Sequence, residues 1–228
     1  MSIGFGSFGY YLWVLVPSLI LAGFATWLTK STFAKYARRA ASSRMTGAQA
    51  ARHMLNARGL NNVEIVKIQG FLSDHYDPRH RVLRLSPTVH DACSLSAIGV
   101  ACHEAGHALQ HADHYLPLRV RSMLVPATNI SSKMSYFLIL GGILLQAPFL
   151  VKLAVICFAM ALIFAVVTLP VEWDASARAK RQIVAVGIVT PAEQADAARV
   201  LNAAFLTYVA SAITALLTFL YYFMRSRD

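Results

Sequence analysis

His103, Glu104 and His107 are the residues of this chain best suited to chemistry. They sit in His103-Glu104-Ala105-Gly106-His107, the pattern H-E-x-x-H of zinc hydrolases. On an α-helix, residues four apart lie on one face, one turn above the other, so two imidazoles can hold one divalent ion. Glu104 then stands beside the ion and can act as general base toward a water bound there. The flanking run from Ser94 to Leu109 is mostly small and apolar, and an ionised glutamate on such a helix needs a partner or a metal. The competing reading is a helix with two solvated histidines and a surface glutamate.

Zinc needs a third protein ligand that leaves one position open for water. A metzincin would carry Gly at position 110 and His at position 113; Gln110 and Asp113 stand there, which disfavours that class. His111 lies eight residues past His103, about 12 Å along a helix axis, too far to share one ion. His111 and His114 are therefore read as solvated or as supports for the ligands. Glu172, in Leu169-Pro-Val-Glu-Trp-Asp-Ala-Ser-Ala-Arg178, directly follows the third apolar run. If the two runs before it fold back as a hairpin across a bilayer, Glu172 returns to the face that carries the H-E-x-x-H helix. Asp174 is the nearest rival carboxylate, and a charge resting among lipid headgroups at a span end is the competing reading of Glu172. From the residues alone, these alternatives stay open.

The apolar runs decide the class of protein. The chain is 57% hydrophobic and 14% charged, where a soluble domain carries about 25% charge. Residues 8–28, 134–151, 153–171 and 200–224 are free of charge, and about 20 such residues span a bilayer. The second run reaches that length only if it starts near residue 130. The first lacks a basic leader, so it reads as an anchor that is retained and not as a cleaved signal. The net charge of +10 is unevenly spread: 14 of the 21 Lys and Arg lie between Lys30 and Lys133, and four more between Arg178 and Arg199. Four spans put both basic regions on one side, which the positive-inside rule makes cytoplasmic. That distribution reports topology and attraction to anionic lipid, and no recognition motif supports nucleic-acid binding. Cys93, Cys102 and Cys157 match no disulfide framework, as in a reducing compartment. Cys102 points about 100° away from a site on His103 and reads as a small buried thiol.

Between the apolar runs the pattern alternates helix and strand. A basic helix is expected over 29–44. Thr46 and Gln49 form a capping box for a helix that Gly59 stops. Residues 63–68 and 81–86 alternate like strands, a turn-rich stretch covers 70–79, and one helix is expected over 88–112. A strand at 81–86 has a use if it lies at a sheet edge, where an extended peptide could add beside the metal; a purely structural hairpin is the alternative. In Ser73-Asp-His-Tyr-Asp-Pro78, the choice is between His75, Tyr76 or Asp77 lining the cleft and Asp74 and Asp77 holding a tight turn. Thr190-Pro-Ala-Glu193 caps a helix that to Met224 would be about 50 Å long, more than a bilayer core of about 30 Å, so its first part should stand in the cytoplasm.

Ser73–Pro78, His103–His107 and Leu169–Ser176 together resemble the YugP-type membrane zinc metallopeptidases of bacteria, and the order of elements extends the likeness over most of the chain. The layout is also similar to the HtpX and Ste24 peptidases, in which two spans separate H-E-x-x-H from a glutamate ligand. Those carry Asp four residues after that glutamate; Ser176 stands here. The resemblance implies His103, His107 and Glu172 as ligands of one Zn²⁺ per chain, with Glu104 as base.

The sequence thus predicts a mainly α membrane protein, with four transmembrane helices and a small α+β zincin-like catalytic domain. The expected segments are a transmembrane helix (1–29), a cytoplasmic metallopeptidase domain (30–128), a transmembrane hairpin (129–171), a cytoplasmic segment with the third ligand (172–199) and a last transmembrane helix with its tail (200–228). The expected activity is zinc-dependent endopeptidase, its partners the lipid bilayer and protein or peptide substrates drawn from membrane proteins, and its place the bacterial inner membrane. Two rivals differ in class. An intramembrane protease would bury 88–112 in lipid, but His90, Asp91, Ser94, Ser96, His111 and Asp113 make that stretch polar for a span. A non-enzymatic four-span scaffold or transporter would keep the motif as a structural or vestigial metal site.

Overall fold

The computed structural model describes residues 7–70 and 73–226. The expected limits at residues 1 and 228, and residues 71 and 72 of the expected turn, lie outside the described residues. The chain is mostly helical. It begins as α1 (Ser7–Tyr10), a π-helical turn (Tyr11–Leu15) and α2 (Val16–Ala37). The basic helix expected over 29–44 is the continuation of α2 and ends at Ala37. No proline interrupts Leu28–Ala37, so the change from apolar to basic residues alters the surroundings and not the backbone.

Helix α3 (Gly47–Asn56) starts as expected: Gln49 N donates to Thr46 Oγ1 at 3.2 Å, and Thr46 N to Gln49 Oε1 at 2.9 Å. Gly59 follows its end with φ +70. Strands β1 (Glu64–Lys67), β2 (His75–Asp77) and β3 (Val82–Leu85) form one sheet in the order β1-β3-β2, with β1 parallel and β2 antiparallel to β3. This revises two expectations. β2 comes from the stretch read as a turn, because three residues directly before Pro78 are too few to show alternation. And β3, from the stretch considered for an edge, is central, which leaves β1 and β2 as the edges.

The helix expected over 88–112 is two, α4 (Pro87–His90) and α5 (Leu95–Ala112). Between them the carbonyls of Ala92 and Cys93 accept from Gly47 N and Ala41 N, so they cannot serve a continuous helix. Ser94 restarts it, its hydroxyl accepting from Ala97 N at 3.2 Å. Then follow α6 (Leu116–Leu144), α7 (Pro148–Ala185) and α8 (Pro191–Arg225). The chain turns at 145–147 rather than at Lys152, since Pro148 has no N–H to lose at a helix start. α7 then runs unbroken past Glu172, so that residue lies within the helix and not in a segment after it. α8 opens on the expected box, with Glu193 N donating to Thr190 Oγ1 at 3.3 Å and Thr190 N to Glu193 Oε2 at 2.9 Å.

Among the described residues, three helices are long and apolar enough to cross a membrane: Leu12–Ala37, Pro148–Ala185 and Pro191–Met224. α6, expected as the second of four spans, is long enough but is diluted by Asn129, Ser131, Ser132 and Lys133. The chain divides into two compact units. One joins Thr26–Leu118 to Val171–Leu206; the other takes in Arg119–Pro170 and the two ends of the chain. In the first, α5 is the central element, with Leu95, Ile98, Ala101, Cys102, Ala105 and Leu109 essentially without exposure. Burial pushes the Cys102 thiol up to about 12, so it is an inert packing residue. In the second, Leu19, Ile20, Phe137, Leu140, Ile163 and Val166 face outward, an exterior suited to lipid and unsuited to water.

Candidate metal centre

The site lies within the first unit, where α5 meets α7. The helices touch backbone to backbone at Gly106: a Cβ there would sit 2.5 Å from the Ala175 carbonyl oxygen. Glycine at this place in H-E-x-x-H is thus what lets the second helix approach. The approach brings Glu172 to the two histidines. Glu172 Oε2 is 3.2 Å from His103 Nε2 and 3.5 Å from His107 Nε2, and one ligand atom from each of the three residues lies within 4.8 Å of the others. Glu172 is 1% exposed. A carboxylate so buried requires compensation by cations or a metal.

The outer nitrogens of both imidazoles are held. His103 Nδ1 is 3.1 Å from Ser176 Oγ, so the serine that replaces the aspartate of related layouts still reaches this ring, with a hydroxyl. His107 Nδ1 is 3.0 Å from Gln110 Oε1. The Gln110 amide nitrogen donates to Val171 O at 2.8 Å and to Asp174 Oδ2 at 2.9 Å. With both amide hydrogens used on α7, Gln110 presents its oxygen to His107, which must donate from Nδ1; the neutral ring then carries its lone pair on Nε2. Arg178 Nε in turn donates to Asp174 Oδ2 at 2.6 Å, and Arg178 also pairs with Asp113. Gln110 and Asp113, which mark the departure from metzincins, therefore belong to the support of His107. Asp174, the rival carboxylate, supports Gln110.

Glu104 is buried beside this group, and Tyr76 N donates to its Oε2 at 3.0 Å. Burial raises its pKa above the ordinary carboxylate range, and the electrostatic influence of His103 and His107 opposes that rise. A more basic carboxylate is a better proton acceptor. The contact comes from edge strand β2, so Ser73–Pro78 does reach the cleft, through a backbone N–H that no side-chain pattern reveals. The same stretch also holds a turn. Asp77 accepts from Arg79 N, His80 N and the His80 ring, and Asp74 from Ser86 N and Oγ. His111 is away from the ligand group, 2.9 Å from Tyr76 Oη through Nδ1, and His114 is exposed.

The donor set fits a divalent ion of zinc's kind: two imidazole nitrogens converging on one carboxylate oxygen, with the outer nitrogens already engaged. Fold and site thus define a helical protein with membrane-crossing helices and a two-histidine, one-glutamate cluster. Comparison with known proteins agrees with that class. Residues 11–227 match the family described as "putative neutral zinc metallopeptidase", and the chain belongs to it. Over 221 residues it is 43% identical to a Bacillus subtilis (strain 168) protein named "putative membrane protease YugP", covering 96% of this chain and 98% of that one. No solved structure matches.

Proposed function

We propose that this chain is an integral-membrane zinc endopeptidase in which His103, His107 and Glu172 hold one Zn²⁺ and Glu104 is the general base. The observation that carries the reading is the convergence of Glu172 with the two α5 histidines beside a buried Glu104. When bound, zinc lowers the pKa of a water to about 7 and polarises the scissile carbonyl. Glu104 takes a proton from the attacking water and returns it to the leaving amine. The Tyr76 N–H keeps that carboxylate oriented while it exchanges the proton. Among the described residues β2 is a sheet edge beside Glu104, which suits an extended substrate added as a further strand.

Four spans remain the better topology. The chain leaves the unit that carries the site after Leu118 and re-enters it at Val171. The stretch between contains most of a candidate span in α7, so α6 must cross too if both its ends are to meet on one side. Ile130, Phe137, Leu140, Ile143 and Leu144 of α6 are exposed, as a lipid-facing helix requires. The basic residues between Lys30 and Lys133 make that side cytoplasmic, and a site there meets membrane proteins or their cytoplasmic segments as substrates. The test is Glu104→Gln, which can still accept the Tyr76 N–H. The variant should bind zinc as the parent does and lose about 10²–10⁴-fold in peptide hydrolysis; hydrolysis at the parental rate would overturn the reading.

A further inference from the structure

Within the same unit, the end of α2, the start of α8 and Trp173 of α7 line an open cavity of about 600 Å³ that is separate from the metal centre. α2 and α8 run antiparallel here. Thr29 Oγ1 donates to Ala203 O at 2.9 Å, Arg199 to Tyr36 Oη at 3.1 Å, and Ser42 to Glu193 at 2.8 Å. Rising numbers on α2 therefore match falling numbers on α8. Leu28 and Leu206 share one end of the cavity, and Lys35 and Arg199 share the other.

That polarity has a direction. Beyond Leu28 toward the N-terminus and beyond Leu206 toward the C-terminus, the helices continue without charge into candidate spans. The apolar end thus faces hydrocarbon depth and the polar end faces the headgroups. Trp173 and Phe205 form an aromatic wall, with ring centroids 5.3 Å apart, as is common at that depth. Lys180 sits over the Trp173 ring, 5.6 Å from its centroid, and donates to Asn202, a further lining residue. Lys35 and Arg199 line the polar end, Arg39 stands beside Arg199 through Asp196, and Lys180 lies alongside the wall at Trp173 and Asn202, outside the lining itself. Asp196, which accepts from both arginines, is the carboxylate among them. With Arg39 and Arg199 sharing that one carboxylate, the balance is positive.

The cavity is not an arm of the substrate cleft. Trp173 follows Glu172, and neighbours on a helix diverge by about 100°. Accordingly, Glu172 is buried on the side of α5, while Trp173 is 59% exposed. The volume falls in the range of about 300–1,000 Å³ typical of small-molecule sites.

We propose that this cavity binds an anionic phospholipid, with its phosphate near Lys35, Lys180 and Arg199 and its acyl chains against Leu28, Trp173, Phe205 and Leu206. A peptide segment would meet the apolar wall as well, but the excess positive charge at the headgroup end selects a ligand that is amphipathic and negative. A zwitterionic lipid fills the wall and leaves that charge uncompensated.

The test uses the full chain carrying Trp13→Phe and Trp27→Phe, so that Trp173 is the reporter among the three tryptophans. In detergent micelles it is titrated with phosphatidylglycerol brominated on its acyl chains, and in parallel with brominated phosphatidylcholine. The phosphatidylglycerol should quench at a several-fold lower mole fraction. Lys35→Gln and Arg199→Gln should each cut that preference about five-fold, the effect of one cation near an anionic surface. If Arg199→Gln is not monodisperse, Lys35→Gln with Lys180→Gln carries the same test. Equal quenching by the two lipids, a preference that survives the charge removals, or full displacement by millimolar inorganic phosphate would each overturn the proposal. Every readout is independent of zinc and of peptide hydrolysis.

Discussion

Gly106 sets the distance between the helix that carries the histidines and the helix that carries the glutamate, so Gly106→Ala should disturb the centre without removing any ligand. The new Cβ would fall 2.5 Å from the Ala175 carbonyl oxygen, whereas ordinary contact starts at 3.4 Å. The helices must part by about 0.9 Å, since the obstacle is backbone and no flexible side chain can yield. Metal–ligand distances tolerate about ±0.2 Å. A shift several times larger on the Glu172 side should lower zinc affinity on the order of 10–100-fold, as loss of a supporting contact does. Overpacking costs about 1–3 kcal/mol, and the better helix propensity of alanine returns up to about 1 kcal/mol. The net effect on melting is therefore small beside the effect on metal. Gly99→Ala, on the same helix as Gly106, is the internal control: its nearest contact would be the Ala197 carbonyl oxygen of α8 at 3.6 Å, an ordinary packing distance at which alanine is neutral or stabilising. The assay is zinc affinity by competition with a chelating dye, alongside thermal melting of the metal-free protein. Gly106→Ala binding zinc within two-fold of wild type would refute the reasoning.

Asp77 is held down to about 2, chiefly by the hydrogen bond from His80, against 3.8 when free. A depressed carboxyl stabilises the fold above its unfolded value, and that contribution fades as pH falls from 3.8 toward 2. Asp77→Asn should melt lower than wild type at pH 5, by at most about 2–4 °C for a partly exposed pair, and the gap should close near pH 2; a gap that widens on acidification would contradict the assignment. For topology, the cysteine-free chain (all three native cysteines changed to alanine) is labelled in intact cells with an impermeant maleimide. Gln146→Cys should react and Arg58→Cys should be protected; equal behaviour of the two would remove the crossing assigned to α6.

The legible parts of this protein were those written in local side-chain patterns. The Thr46/Gln49 and Thr190/Glu193 boxes are each completed within one turn, and both formed where the residues placed them. The register of His103 and His107 is likewise a property of one helix. Glu172 was visible from its own residues only as one of two carboxylates, because its partners are reached through α6 and α7. Its rank over Asp174 came from family resemblance. The break between α4 and α5 hid behind an apolar run, although Ser94 marks the new start. Gln110 was readable only as a departure from another class: its amide has meaning once α7 supplies Val171 O and Asp174. The Tyr76 contact with Glu104 is made by a backbone N–H that every residue but proline owns.

The measurement that bears most directly on the centre is the metal content of purified wild type, His103→Ala and Glu172→Ala, prepared side by side and checked for monodispersity. One zinc per chain in the wild type, with most of it lost from both variants, is the result expected from the convergence of α5 and α7. Full zinc in Glu172→Ala beside metal-free His103→Ala would show that the third ligand lies elsewhere.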